Sequence, residues 1–201
     1  MEMQTVIQNF QKHGFRAVSF PTKEEAAAYL NREIDGVSVA YGGSVTVSQM
    51  GLLELLKTHN DVIGHWDIPA GMTKQEVYAK AAATDVYLTS ANGASETGEL
   101  VNIDGHGNRV SSALFGHKKV FFVVGVNKFE PTLEKAMWRA RNVASPLNAK
   151  RLGRKTPCAV KGDRCYDCSS PERICNGFVI HARKMSSCEM EVVIVEEPLG
   201  F

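Results

Sequence analysis

No apolar run in the 201-residue chain approaches the ~20 residues that a membrane-spanning helix requires. The opening stretch, Met1 to Phe10, lacks the basic start, apolar run and small-residue cleavage site of a secretory signal. Both absences lead us to expect a cytoplasmic protein with no membrane partner, in a reducing compartment where thiols stay unpaired. Net charge is almost nil at +1, which gives no bulk attraction for nucleic acid. The sequence has no internal repeat, no low-complexity segment and no long Pro/Gly/Ser linker. A Walker loop, a Rossmann fingerprint and a catalytic triad are missing too. The histidines His13, His59, His65, His106, His117 and His181 follow no metal-ligand spacing.

Cysteine is scarce except in one place. Cys158, Cys165, Cys168 and Cys175 fall within eighteen residues as C-x6-C-x2-C-x6-C, and the rest of the chain holds only Cys188. Four thiolates on a short loop can close a shell around a metal ion or an iron–sulfur cluster. Disulfides fit poorly with a reducing compartment. Free structural or redox thiols are the other reading, but a redox Cys-x-x-Cys normally opens a helix after a strand, and this one lies among Gly, Asp, Ser and Pro. Structural zinc often uses two Cys-x-x-Cys knuckles, whereas one knuckle between two outer cysteines suits a [4Fe–4S] cluster somewhat better; Zn2+ stays the alternative. Cys188 reads as a small buried hydrophobe.

Apolar content of 44% and charged content of 22% are those of an ordinary globular protein. Length suggests a single domain, 1–201, with an N-terminal helical and strand segment at 1–35 and the cysteine-rich loop at 153–190. Short apolar runs alternate with helical patterns. Strands are expected at Phe15–Phe20, Val37–Tyr41, Asp85–Thr89, Lys119–Gly125 and Glu191–Val195. Thr22 and Thr73 look like N-caps, each with a Glu three residues on. Helices are expected after each, then over Val45–Lys57 and from Pro131 to about Ala144. Asp104-Gly105-His106-Gly107 between two short β-like runs predicts a hairpin with His106 at its tip. Alternating strands and helices give an α/β class with a mainly parallel sheet flanked by helices.

In such sheets ligands sit at the carboxyl ends of strands. Gly42, Gly43 and Ser44, with Thr46 just beyond, form a strand-to-helix turn where backbone can approach an anion. The loop Thr89 to Gly98 holds Asn92, Thr97 and Gly98 as ligand-binding candidates, and Glu96 as a candidate base, nucleophile or hydroxyl acceptor. Asn127 and Lys128 follow the most apolar strand, and Lys128 offers a positive charge to an anionic ligand. From Lys135 to Lys155 the chain carries seven cations and no Asp or Glu. That run is either a solvated face or an anion site leading into the cysteines.

Together these stretches resemble a known family. Gly42-Gly43-Ser44-Val45-Thr46, the run from Asp85 through Asn92, Glu96, Thr97, Gly98 and Asp104 to Arg109, and Val123-Val124-Gly125-Val126-Asn127-Lys128 are similar to the LUD-domain proteins. These form the DUF162 group that includes lactate-utilisation protein C. Arg139 to Leu152 and the cysteine loop fit its stand-alone, cysteine-bearing branch. The resemblance implies a NagB/RpiA/CoA-transferase-like fold and a place in L-lactate oxidation beside iron–sulfur and flavin oxidoreductase partners. In related enzymes a glycine loop holds phosphate or CoA and a carboxylate does the chemistry, a part that only Glu96 is placed to play here. Gln49 stands where many relatives are expected to carry Glu, and Ala94 and Ser95 are smaller than expected.

Two functions follow. One is a redox-associated enzyme or subunit that binds a small anionic metabolite and carries an iron–sulfur cluster. The other is a non-catalytic metabolite-binding or regulatory module with a structural zinc site. A homodimer stays open under either.

Overall fold

A computed structural model describes residues 1–201. Ten strands and nine α-helices are numbered here in chain order. The strands are β1 (Arg16–Phe20), β2 (Ser38–Tyr41), β3 (Asp61–Gly64), β4 (Val86–Ser90), β5 (Gly93–Ser95), β6 (Leu100–Asp104), β7 (Lys119–Gly125), β8 (Phe129–Glu130), β9 (Gly177–His181) and β10 (Glu189–Val195). The helices are α1 (Met3–Lys12), α2 (Lys23–Glu33), α3 (Val45–Gln49), α4 (Leu52–Leu56), α5 (Lys74–Ala82), α6 (Asn108–Leu114), α7 (Leu133–Arg139), α8 (Ser145–Arg151) and α9 (Pro157–Lys161). Six strands pair in parallel in the order β1-β10-β7-β4-β2-β3. The other four form a second sheet, β8-β5-β6-β9, in which β6 runs antiparallel to both its neighbours.

The period-2 pattern of β7 explains the layering. Val120, Phe122 and Val124 join one buried cluster with Val6 and Phe10 of α1 and with Val77 and Ala81 of α5. Phe121 and Val123 face the opposite way, among Leu30 of α2, Val47 of α3 and Leu52 and Leu56 of α4. Helices therefore cover both faces, which is why the strand reads as one continuous apolar run. Each fully buried side chain of this size contributes about 1.5–3 kcal/mol of transfer free energy. One acid interrupts the apolar interior. Glu191 of β10 is fully buried and takes a hydrogen bond from Tyr29 Oη at 2.5 Å, with Lys119 Nζ at 3.0 Å and Arg16 Nε at 3.6 Å.

Several sequence expectations need correction. The 104–107 hairpin is instead a strand-to-helix corner. Asp104 accepts from the amides of His106 (3.0 Å), Gly107 (3.2 Å) and Val110 (3.3 Å), and Gly107 at φ +94° turns the chain into α6. The expected Val45–Lys57 helix is broken into α3 and α4 by Gly51 at φ +64°. The helix after Pro131 starts at Leu133, capped by Thr132, and continues past Ala144 as α7, a π-turn over Ala140–Ala144, and α8. Pro146 has no N–H to donate back to Asn142, and the wider turn absorbs the fault. Strands β3 and β9 and helix α1 were not foreseen.

The second sheet is docked on α7 at a point that leaves no space. A Cβ added at Gly93 would lie 2.5 Å from the backbone oxygen of Ala136. We expect Gly93→Ala to destabilise the protein by about 1–3 kcal/mol, the usual cost of overpacking. Urea unfolding with an unchanged midpoint would contradict this account of the α7–β5 contact.

Candidate functional site

In the parallel sheet β2 leads outward to β3, while β4 leads the opposite way to β7. The carboxyl ends of β2 and β4 thus flank the switch point, where α/β sheets open a crevice for ligands. The chain places Gly42–Ser44 after one and Ala91–Asn92 after the other. A small inner recess of about 70 Å³ lies there, lined by Gly43, Ser44, Thr46, Ser90, Asn92 and Lys128, with Arg109 and Arg151 at its mouth. It shares Gly43, Arg109, Asn148 and Arg151 with an outer cleft of about 430 Å³. Lys74, Arg109, Arg151, Arg154 and Arg173 give the outer cleft five cations, against the carboxylates of Asp104 and Glu172.

Lys128 is the unusual member. It is 3% exposed, and its ammonium donates to Thr46 Oγ1 (2.6 Å), Ser90 Oγ (2.9 Å) and the Ala91 carbonyl (3.1 Å). It makes no ion pair. Burial, then the charges of Arg139 and Arg109, push its pKa down to about 7. Both arginines are tied in place. Arg109 bonds Asn102 Oδ1 (2.8 Å), the Ile103 carbonyl (2.6 Å) and Asn92 Oδ1 (3.3 Å), with Asp104 at 3.7 Å. Arg139 is buried and bonds the carbonyls of Asn92 (2.7 Å), Asn127 (2.9 Å) and Phe201 (3.3 Å). Burial raises the Asp104 carboxyl, but Arg109 and three backbone amides outweigh it and hold the pKa low.

Not every expected residue reaches the cleft. The Glu96 carboxylate lies 4.0 Å from the Met1 amino group, and its carbonyl takes a bond from Asn9 of α1. Thr97 bonds Ser95 and Glu99, and Gly98 at φ +105° packs against the backbone of Asn9 and Phe10. This end of the loop anchors α1. Asn127 secures the C-terminal tail through Leu199 N (3.0 Å) and Gly200 O (3.2 Å). Gly42 makes room for the Tyr87 hydroxyl and Arg109, which a Cβ would meet at 2.6 and 3.0 Å. Gln49 accepts from Gly200 N at 2.7 Å, so it too holds the tail. Trp66, Lys74, His106 and Arg109 line the cleft without having been foreseen. The mistaken hairpin hid the last two.

Behind the cleft wall, His65 is 2% exposed and meets Tyr78 edge-on and Tyr87 at a tilt, with Asn108 Nδ2 at 2.6 Å from Nδ1. Burial, with His117 and Arg109 also disfavouring charge, lowers its pKa to about 4.

All four clustered cysteines line one further cavity, walled by Arg141, Pro146, Ala149, Thr156, Arg173 and Ile174. Cys158 comes from α9, and Asp167 at φ +47° turns the chain between Cys165 and Cys168. Cys165 Sγ accepts from Arg141 Nε (3.4 Å) and Asp167 N (3.3 Å), and Thr156 Oγ1 lies 3.3 Å from Cys158 Sγ. Arg173 bonds the carbonyls of Cys168 (2.7 Å) and Cys175 (3.0 Å). Burial pushes the Cys175 thiol up, with Arg173 opposing it. No three His, Cys, Asp or Glu side chains converge on a point for a single ion. Cys188 is buried in the main core, apart from this group. Arg173 and Ile174 line both this cavity and the outer cleft.

The family model described as the LUD domain matches residues 3–195. Among solved structures, a DUF162 family protein from Deinococcus radiodurans is similar over 96% of this chain and 95% of its own, at 12% identity and a TM-score of 0.54. A ribose 5-phosphate isomerase A from Neisseria gonorrhoeae is matched over 55% of this chain and 54% of its own, at 15% identity and a TM-score of 0.37. No curated protein matches the sequence.

Two outcomes follow from the buried titratable groups. The unfolded chain holds Lys128 protonated up to about pH 10.5, whereas the folded chain gives up the proton above about pH 7. Stability therefore falls as pH drops from 10.5 to 7, by about 5 kcal/mol at ~1.36 kcal/mol per unit. Lys128→Met is expected to stabilise the fold by about 2–5 kcal/mol at pH 7, after allowing for lost hydrogen bonds, and to lose that advantage above pH 10. A lower urea midpoint at pH 7 would refute the account. For His65 the unfolded pKa is 6.5 and the folded one about 4, so its contribution is flat above pH 6.5. It then costs the fold about 3 kcal/mol as pH falls to 4. Urea titrations across this window should show a shallower slope in His65→Phe than in the parent.

Proposed function

The chain belongs to the LUD-domain family, and on that premise we propose that it serves in the redox metabolism of small organic acids such as lactate. The basic cleft takes an anionic metabolite at the strand ends. Cys158, Cys165, Cys168 and Cys175 hold a [4Fe–4S] cluster. The observation that carries this reading is the shared wall: Arg173 and Ile174 face the cleft on one side and the four cysteines on the other.

The chemistry of the donor set suits the group: four cysteines line one cavity, and four thiolates are the ligand set of a [4Fe–4S] cluster. N–H donors from Arg141 and Asp167 already point at Cys165 sulfur, and such bonds raise a cluster's potential by stabilising its reduced, more negative state. When bound, a cluster supplies one-electron transfer. The rest falls to the chain's own side chains. Arg109, Arg151 and Arg154 attract and orient the anion, and Lys128 sits at the blind end of its recess. Iron–sulfur or flavin oxidoreductases are the partners that such an arrangement would serve. Glu96 is not proposed as the catalytic carboxylate, because it stands beside the chain's amino terminus rather than in the cleft.

Purification without oxygen should yield a brown protein with about four iron and about four sulfide per chain. Stoichiometric zinc without sulfide would sink the redox reading and leave the structural-zinc module in its place. Cys165→Ser/Cys168→Ser should lose the iron and become sensitive to protease between residues 153 and 176, since the order of such ligand loops depends on binding.

A further inference from the structure

Lys128 has no side-chain carboxylate to answer it. It lies just past β7 on a 3₁₀ turn; the side-chain charges that act on it are those of Arg139 of α7 and Arg109 of α6, and Arg151 of α8 and Phe201 of the tail also line its recess. The carboxylates nearby are directed at the arginines, Asp104 at Arg109 and Glu130 at Arg139. From the remaining elements it meets only neutral groups. These are Thr46 of α3, Ser90 and Ala91 at the end of β4, and the tail, where a Cβ on Gly200 would lie 3.3 Å from Nζ.

Arg109 and Arg139 each commit three of their five N–H groups to carbonyl and amide oxygens. The Lys128 ammonium commits all three of its own. Two of its three partners are hydroxyls, which can turn from acceptor to donor as the ligand enters. One amine and two hydroxyls line a recess of about 70 Å³, a donor set for a small oxyanion such as a carboxylate. The larger outer cleft, with its arginines, takes the remainder of the molecule.

We infer that Lys128 is the receptor for the carboxylate end of a small organic acid, and that it takes up one proton from solvent as the carboxylate binds. The inference rests on the cleft reading above and deepens it. An empty recess crowded by cations favours the neutral amine. A carboxylate at Nζ reverses the local field and favours the ammonium. Ligand and proton then enter the recess together, and affinity depends on pH through this one group. Burial pushes the free amine's pKa down to about 7, which places the coupling in the working range of the cell.

Isothermal titration with pyruvate as probe, in two buffers of different ionisation heat, reads the proton directly. At pH 8.5 about one proton should be taken up per pyruvate, falling towards none at pH 6, where the amine is already charged. Affinity should weaken roughly tenfold per pH unit from about 7.5 upward. Lys128→Met should abolish the proton uptake and bind pyruvate at least ~10-fold more weakly at pH 7. Its urea midpoint shows that the variant is folded. Pyruvate binding without proton exchange, undiminished binding in Lys128→Met, or inorganic phosphate binding with the same linkage would each overturn the inference. A cluster-bearing protein that ignores pyruvate would sink this inference alone. Proton-linked pyruvate binding in a protein with no iron would sink the redox reading alone.

Discussion

The sheet depends on its last strand. β1 pairs with no strand except β10, and β10 in turn lies against β7, so the first strand reaches the rest of the sheet only through a segment near the end of the chain. Six of the seven residues of β10 are buried, and its apolar side chains feed both core clusters. Until it arrives, β1 has no strand to pair with, and pairing that spans most of a chain is slow because loop closure must precede the contacts. The buried Glu191 marks the register. Its bonds to Tyr29, Lys119 and Arg16 join α2, β7 and β1 to the one strand between them. A slip by one residue would bury that charge without partners and turn every apolar side chain of the strand to the wrong face.

Because β7 and β10 run parallel, the chain between them must leave one end of the sheet and return to the other. That excursion holds α7, the π-turn, α8, the cysteine loop and β9. It starts at the carboxyl end of β7, next to β4, and its first half carries Lys128 and Arg139. The tail after β10 then crosses the same strand ends and closes over Thr46, Gln49 and Asn127. The cations of the recess thus come from separate helices and loops, each held by backbone carbonyls or amide oxygens. Such a concentration of like charge opposes folding. It persists because the surrounding sheet is stable enough to carry it, the usual trade between stability and function.

What could be read from the sequence followed local signals. β7 is legible as six residues without a polar interruption after Lys119, and Thr73 with Glu76 forms the reciprocal cap that their spacing announces. The glycine turn and Lys128 stand at strand ends, where ligands bind in such sheets, and both line the recess. The errors came from tertiary override. Asp-Gly-His-Gly has hairpin chemistry, but Asp104 spends its oxygens on three amides and opens a helix, while β6 finds partners in β5 and the distant β9. Glu96 lies outside the cleft, beside the Met1 amino group, for a reason that its own loop does not carry. Nothing in its neighbours foretold that α1 would fold against that loop. The burial of Arg139 was equally hidden, since a basic helix face ordinarily faces water.

The cysteine loop and the cleft are coupled by shared residues rather than by mere proximity. Arg173 bonds the carbonyls of Cys168 and Cys175, sits 3.7 Å from Asp167 and still lines the cleft. Arg141 bridges from the π-turn to Asp167 at 2.7 Å and to Cys165 at 3.4 Å. The segment Pro171–Ile174 is therefore a cleft wall whose position is set by the cysteines on either side of it. A group bound by those thiols would add its binding free energy to the order of that wall, as metal binding does where a loop is not preformed. An anion in the cleft and a charge change at the cysteines would each alter the field at Arg173.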